Sequence, residues 1–253
     1  MNILSIFSSG FPEKADKRLL KNLSIRGKEL GTKPIQSCDI IGCDFRGASA
    51  SNKSFTKSHF HNCDFRGADF INCTFGAVSF DNSDLRGVNL SGSLPVGSTW
   101  RYSWANASVF VGCEFTKSVF CGVNFQGSDL RMAKLIDCQF ARENITPDLP
   151  VTSFATAKLD NANFSNTKAP MVDFRHCTAR DTNFSNCDLR GSDFRGSRLM
   201  GASFHNANVE GCDFRGAFLH GCDFSGVNLD SFRWNSEYYV ERDGVILSKK
   251  EMR

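Results

Sequence analysis

Large apolar residues recur at every fifth position over roughly two hundred residues of this chain. One run reads Phe55, Phe60, Phe65, Phe70, Phe75, Phe80, Leu85, Leu90; a second reads Phe110, Phe115, Phe120, Phe125, Leu130, Leu135, Phe140. A third, in a shifted register, passes through Phe154, Leu159, Phe164, Phe174, Phe184, Leu189, Phe194, Leu199 and Phe204 to Phe224, Leu229 and Trp234. Of the 24 Phe residues, 20 fall on this beat, so it cannot be a by-product of composition. A period of five matches neither a helix at 3.6 nor a strand at 2. It points to a solenoid in which each short repeat adds one side of a coil.

The unit is readable around its large centre. Two positions earlier the residue is small, as at Cys43, Cys63, Ala68, Ser83, Ser128 and Ala202. One position earlier Asp or Asn is frequent, and two later Gly is common, as at Gly47, Gly67 and Gly87. Residues two apart on an extended segment point to one side, so the small and large positions are buried together and the polar one between them faces out. The Gly, Asn and Ser that follow supply a turn.

The stretches Cys43-Asp44-Phe45-Arg46-Gly47, Ala68-Asp69-Phe70, Cys187-Asp188-Leu189-Arg190-Gly191 and Cys222-Asp223-Phe224-Ser225-Gly226 resemble the pentapeptide-repeat family, over roughly residues 23–234. The resemblance implies an all-β fold, a right-handed quadrilateral β-helix with four units per coil. With coils stacked at about 4.8 Å, some ten coils would form a rod on the order of 50 Å long. Phe45, Phe65, Phe70, Phe115, Phe194, Phe214 and Phe224 are expected in its core, each contributing about 2–3 kcal/mol on burial.

The expected organisation has three parts. Residues 1–22 are an N-terminal segment and cap, in which Pro12 to Leu20 reads as a short basic helix. Residues 23–234 form the β-helix, and residues 235–253 a C-terminal cap, with Tyr238 to Leu247 reading as a hairpin around Asp243-Gly244. Two breaks are expected. The first lies at 91–107, with Pro95, Trp100, Tyr102 and Trp104, and keeps register, as a distorted coil or a loop of whole units would. The second, at 143–152 with Pro147 and Pro150, shifts the beat from 0 to 4 modulo five, as a loop of non-multiple length would.

Ten of the eleven cysteines occupy the small inward slot and Cys121 an outward position, so they read as small apolar filler rather than as metal ligands or a disulfide framework. Cys43 and Cys63, twenty residues apart, would stack in adjacent coils, where oxidation could join them. Reduced thiols fit a cytoplasmic setting. No membrane-spanning run is present, and the start, Met1 to Phe7, lacks the basic lead-in of a signal peptide. Its irregular, Ser-containing character leaves a second reading, a bacterial effector secreted by an uncleaved N-terminal signal.

Of the five histidines, His59 and His61 share one side around Phe60 while Cys63 points inward, and His176, His205 and His220 fall elsewhere, so no three-ligand metal set converges. No nucleophile elbow, phosphate loop or metalloprotease helix occurs. Neither an enzyme nor a cofactor or metal site is expected, nor a small-molecule substrate.

Charge ladders are the stronger signal. Arg26, Arg46, Arg66 and Arg86 are twenty apart and would stack in one column of a four-unit coil, beside a column of Asp44, Asp64 and Asp84. Arg175, Arg195 and Arg215 repeat the arrangement with Asp173, Asp193 and Asp213. Such alternation relieves like-charge repulsion and yields a solvated, self-neutralised surface; it could equally offer a partner a striped electrostatic face. Trp100, Arg101, Tyr102 and Trp104 form the other candidate, being residue types that dominate binding hot spots, unless the aromatics fold back into the coil.

The quinolone-resistance branch of the family binds DNA gyrase and topoisomerase IV, imitating duplex DNA, and its rods also carry two loops. Resemblance to that branch implies a non-catalytic scaffold of bacterial origin that engages a type II topoisomerase; the alternative is an effector whose rod engages a host protein. The charge departs from the DNA-mimic pattern, because residues 38–234 carry 19 Lys/Arg against 20 Asp/Glu, whereas a mimic should be strongly acidic. Direct nucleic-acid binding is not expected either, since seven Lys/Arg against three Asp/Glu in residues 1–37 are the one basic excess. The C-terminal segment lacks the helix that pairs two rods in some relatives, which leaves monomer and dimer both open.

Overall fold

The computed structural model describes residues 18–31, 34–140, 150–235, 238–240, 244 and 246–248. Over these the chain winds into a right-handed four-sided β-helix. The cause is the alternation of the repeat: in Cys38–Ile41 and His59–His61 every second residue is buried. Each side then turns through a left-handed corner residue such as Gly47 (φ 60°) or Asn62 (φ 52°), residue types that tolerate that conformation.

All pairing between coils is parallel and spaced by one full turn. Wall 1 carries the column Ser24, Asp44, Asp64, Asp84, Trp104, Asn124, Ser153, Asp173, Asp193, Asp213, Arg233, which is ten steps. At about 4.8 Å per step the rod is about 48 Å long. Wall 2 passes through Asp69, Asn89, Val109 and Asp129, wall 3 through Ser54, Thr74 and Leu94, and wall 4 through His59, Ser79, Thr99 and Val119.

The interior is a set of ring stacks. Phe174, Phe194 and Phe214 lie 4.7 and 4.8 Å apart along one wall with planes 5° from parallel. Across the axis, from the opposite wall, Phe204 meets Phe194 edge-on at 5.7 Å and 86°. The strand spacing sets the first distance, and the aromatic quadrupole favours the second geometry. The expected core residues Phe45, Phe65, Phe70, Phe115, Phe194, Phe214 and Phe224 are all buried.

The small slot has a hydrogen-bonding role that explains its Ser and Cys. Ser108 Oγ donates to the Leu85 carbonyl at 2.7 Å, and Ser118 Oγ to the Pro95 carbonyl at 2.8 Å, in each case on the preceding coil. Thiols do the same: Cys113 Sγ donates to the Leu90 carbonyl at 2.8 Å and Cys187 Sγ to that of Phe164 at 2.9 Å. All eleven cysteines are buried free thiols, Cys121 included, although it sits at an outward position. Lys53 is the exception to the slot's chemistry. It is fully buried, donates from Nζ to the Gly31 carbonyl, and burial pushes its amine down to about 8.

The stretch 91–107, expected as a break, stays in the coil. Its centres Pro95, Trp100 and Ala105 all face inward, and Thr99–Arg101 pairs with Ser79–Asp81 below and Val119–Cys121 above. The Trp100 indole lies 4.4 Å from the Phe80 ring and 5.8 Å from that of Phe115. At the second expected break the pairing offset rises from twenty to 29, as in Asn124 with Ser153 and Lys134 with Asn163, so nine residues are added. Residues 141–149 lie outside the described residues.

At the N-terminal end the expected helix is corrected in part. Arg18–Lys21 is a strand paired in parallel with Cys38–Ile41, because Leu20 already falls on the five-residue beat and is buried. The rest of that segment lies outside the described residues. At the other end, Phe232 covers the last ring, 5.3 Å from Phe224. Tyr238–Val240 and Ile246–Ser248 form the expected antiparallel pair. Ile246 is fully buried, and backbone bonds from Gly221 to Ile246 and from Phe224 to Gly244 seat the second strand on the last coil, closing an edge that would otherwise be open.

Candidate interaction face

The two charge ladders lie on the same wall. Because the nine added residues carry Asn124 to Ser153, Asp173, Asp193 and Asp213 continue the column begun by Asp44, Asp64 and Asp84. Within each rung the arginine grips its own aspartate with two nitrogens. Arg66 Nε donates to Asp64 Oδ1 at 2.9 Å and Nη2 to Oδ2 at 2.6 Å; Arg195 does the same to Asp193 at 2.9 and 2.6 Å. The arginines also lean toward the next coil, with Arg66 Nε 3.5 Å from Asp84 Oδ2 and Arg175 Nε 3.8 Å from Asp193 Oδ2. These contacts hold the Asp44 carboxyl down at about 2, chiefly through the Arg46 side chain, and set Asp213 below its ordinary value through Arg215. Wall 1 is therefore two self-neutralised stripes with a gap between them.

The gap is filled by Trp104, Asn124 and Ser153. Trp104 is 50% exposed, which is unusual for the largest side chain, and it borders a groove of about 460 Å³. Tyr102, Gly122, Asn124, Pro150 and Val151 are among the other residues that line it. Tyr102 turns the corner with φ 48°, and a Cβ built on Gly122 (φ 61°) would stand 3.0 Å from both Pro150 and Tyr102, so glycine lets the returning chain pass. Val151 is exposed at the edge, and the Cys121 thiol lies beneath, donating to Tyr102 Oη at 3.8 Å.

The structure thus divides the expected aromatic cluster. Trp100 is fully buried with its Nε1 donating to Ser98 Oγ at 2.6 Å, so it cannot touch a partner. Arg101 is half-buried on wall 4, and Tyr102 and Trp104 belong to the groove. Arg46, Arg66 and Arg86 with Asp44, Asp64 and Asp84 flank it on one side. Asn124, Pro150 and Val151 were not legible as site residues, because their proximity to Trp104 depends on where the added segment re-enters the coil. Among the described residues no group of three His, Cys, Asp or Glu side chains is placed to hold a metal ion, and no helix is long and apolar enough to cross a membrane.

The family model for the pentapeptide repeat region matches residues 147–234, and that for pentapeptide repeats in eight copies matches residues 38–76 and 106–140. No curated protein matches the chain. Among solved structures the chain is similar to the pentapeptide repeat protein Rfr23 from the cyanobacterium Cyanothece 51142, at 24% identity over 45% of this chain and 88% of that one, with a TM-score of 0.40. It is similar to HetL, a pentapeptide repeat protein involved in heterocyst differentiation regulation from the cyanobacterium Nostoc sp. strain PCC 7120, at 19% identity over 89% and 94%, TM-score 0.33. A trypsin-treated form of QnrB1, a plasmid-mediated fluoroquinolone resistance protein, matches at 22% identity over 81% and 92%, TM-score 0.45.

Proposed function

The chain belongs to the pentapeptide-repeat family, and on that premise we propose that it is a non-catalytic protein-interaction scaffold that binds a type II DNA topoisomerase, gyrase first, through wall 1. The observation that carries the reading is the half-exposed Trp104 set in a groove midway between two rigid charge ladders. A large aromatic in a partly desolvated recess, ringed by polar groups, has the anatomy of an interface hot spot. The ladders fix orientation: each is an acidic column beside a basic one, so a partner must present complementary stripes in one register.

The topoisomerase is the partner that the family resemblance nominates, and the contact is not DNA mimicry. Every ladder aspartate is held by an arginine, so the wall has no acidic field with which to compete for a basic DNA groove. Purified protein titrated into a gyrase supercoiling assay, with and without a quinolone, tests the reading. Inhibition or protection supports it, and an unchanged assay at micromolar protein rejects the topoisomerase.

A further inference from the structure

The coil that runs from Ser93 to Val111 is regular inside and anomalous outside. Its outward positions carry Leu94 and Val96 on wall 3, Trp104 on wall 1, and Val109 and Val111 on wall 2. Leu94, Val96 and Trp104 are 43%, 37% and 50% exposed, while the two valines are half-buried. In each column the neighbours one coil away on either side are polar or glycine. Leu94 lies between Thr74 and Glu114, Trp104 between Asp84 and Asn124, and Val109 between Asn89 and Asp129. Likewise Val96 lies between Gly76 and Thr116, and Val111 between Ser91 and Arg131. The apolar residues therefore form a belt one coil thick across three adjacent walls.

We propose that this belt is gripped by a folded protein partner with a concave apolar cleft that holds the rod crosswise. The shape argues for that occupant. A wall of five residues is about 16 Å wide, so a contact three coils high on one wall covers only about 230 Å², far short of the roughly 800 Å² per partner of a stable interface. Three walls at the same height supply about 700 Å², which approaches it. A second rod laid alongside would cover one wall and leave the apolar residues of the other two uncovered. A lipid surface would need apolar groups running along one wall instead of around a coil.

The inference rests on the reading that the partner is a protein, and DNA gyrase is the probe. Binding isotherms for purified gyrase are compared across the wild type, Trp104→Ser, Leu94→Ser with Val96→Thr, and Val109→Thr with Val111→Thr, each variant first checked for unchanged melting. Losses of tenfold or more from at least two walls support the grip; a loss confined to Trp104→Ser overturns it. If wild-type protein does not bind gyrase, the topoisomerase reading fails and the grip is decided separately. Photo-reactive benzoylphenylalanine is then placed in the native cell in place of Leu94, Trp104 or Val109. Adducts to one and the same other polypeptide from at least two walls support the grip. Adducts to a second copy of this chain, to lipid, to different polypeptides from different walls, or to nothing overturn it.

Discussion

Arg46 holds Asp44 with two nitrogens, Nε at 2.8 Å and Nη2 at 2.6 Å, two residues away on the same rung. The Asp44 carboxyl is thereby kept at about 2 in the folded chain against an ordinary 3.8. Its contribution to stability is fully present above the unfolded value and is lost as pH falls through about 2. Asp44→Asn is expected to lower the melting temperature at pH 7 by only about 1–3 °C, because both partners are partly exposed. The deficit should close as the pH approaches 2. Melting curves at pH 7 and pH 2 check this, and an equal deficit at both would contradict it.

Trp100 and Trp104 should separate cleanly. Trp100→Ala removes a fully buried indole and should cost about 3–5 kcal/mol. Trp104→Ser changes a half-exposed surface group and should stay within about 0.5 kcal/mol, while abolishing groove-dependent binding. Urea unfolding of both variants decides it; a destabilised Trp104→Ser would return that side chain to a structural role.

Lys53 gives the rod a stability slope at alkaline pH. Its amine is depressed by burial to about 8 in the folded chain, so between roughly 8 and 10.5 the unfolded chain binds more protons and stability rises with pH. Lys53→Met fills the slot with an apolar chain of similar length. It should melt at or above the wild-type temperature at pH 7 and lose the rise. Thermal scans from pH 7 to 10.5 test this, and a variant that keeps the wild-type slope would exclude Lys53 as its source.

Gly244 secures the C-terminal cap. At φ +90° it lies where a Cβ would stand 2.5 Å from the Ser225 nitrogen. Gly244→Ala should cost on the order of 1–3 kcal/mol in backbone strain and lift the hairpin from the last coil. Hydrogen exchange should then show faster loss of protection at the Phe224 and Gly221 amides, which bond to Gly244 and Ile246, with the Phe194 amide unchanged. Uniform loss along the rod would contradict a local role.

Burial made the interior legible from the sequence. A centre such as Phe194 must be apolar and its slot small, and both repeat every five residues. What misled was polarity on the outside. Leu94, Val96 and Trp104 face solvent, and Pro95 and Ala105 replace large centres, so an ordinary coil resembled a break. Yet Trp100 keeps the five-residue beat, which was the available sign of its burial, as it was for Leu20 in the expected helix. The shared wall of the two ladders was beyond reach for a different reason. The beat reports the added length modulo five, whereas the wall depends on it modulo twenty. The pairing across the added segment, as of Asn124 with Ser153, supplies that number.

Length thus acts as an azimuthal dial. Inserting one more five-residue unit between Arg86 and Asp173 would leave every phenyl ring inside, yet turn Asp173, Asp193 and Asp213 a quarter-turn away from Asp44, Asp64 and Asp84. A chain built this way can reassign its recognition surfaces by indel alone, without altering a single buried side chain.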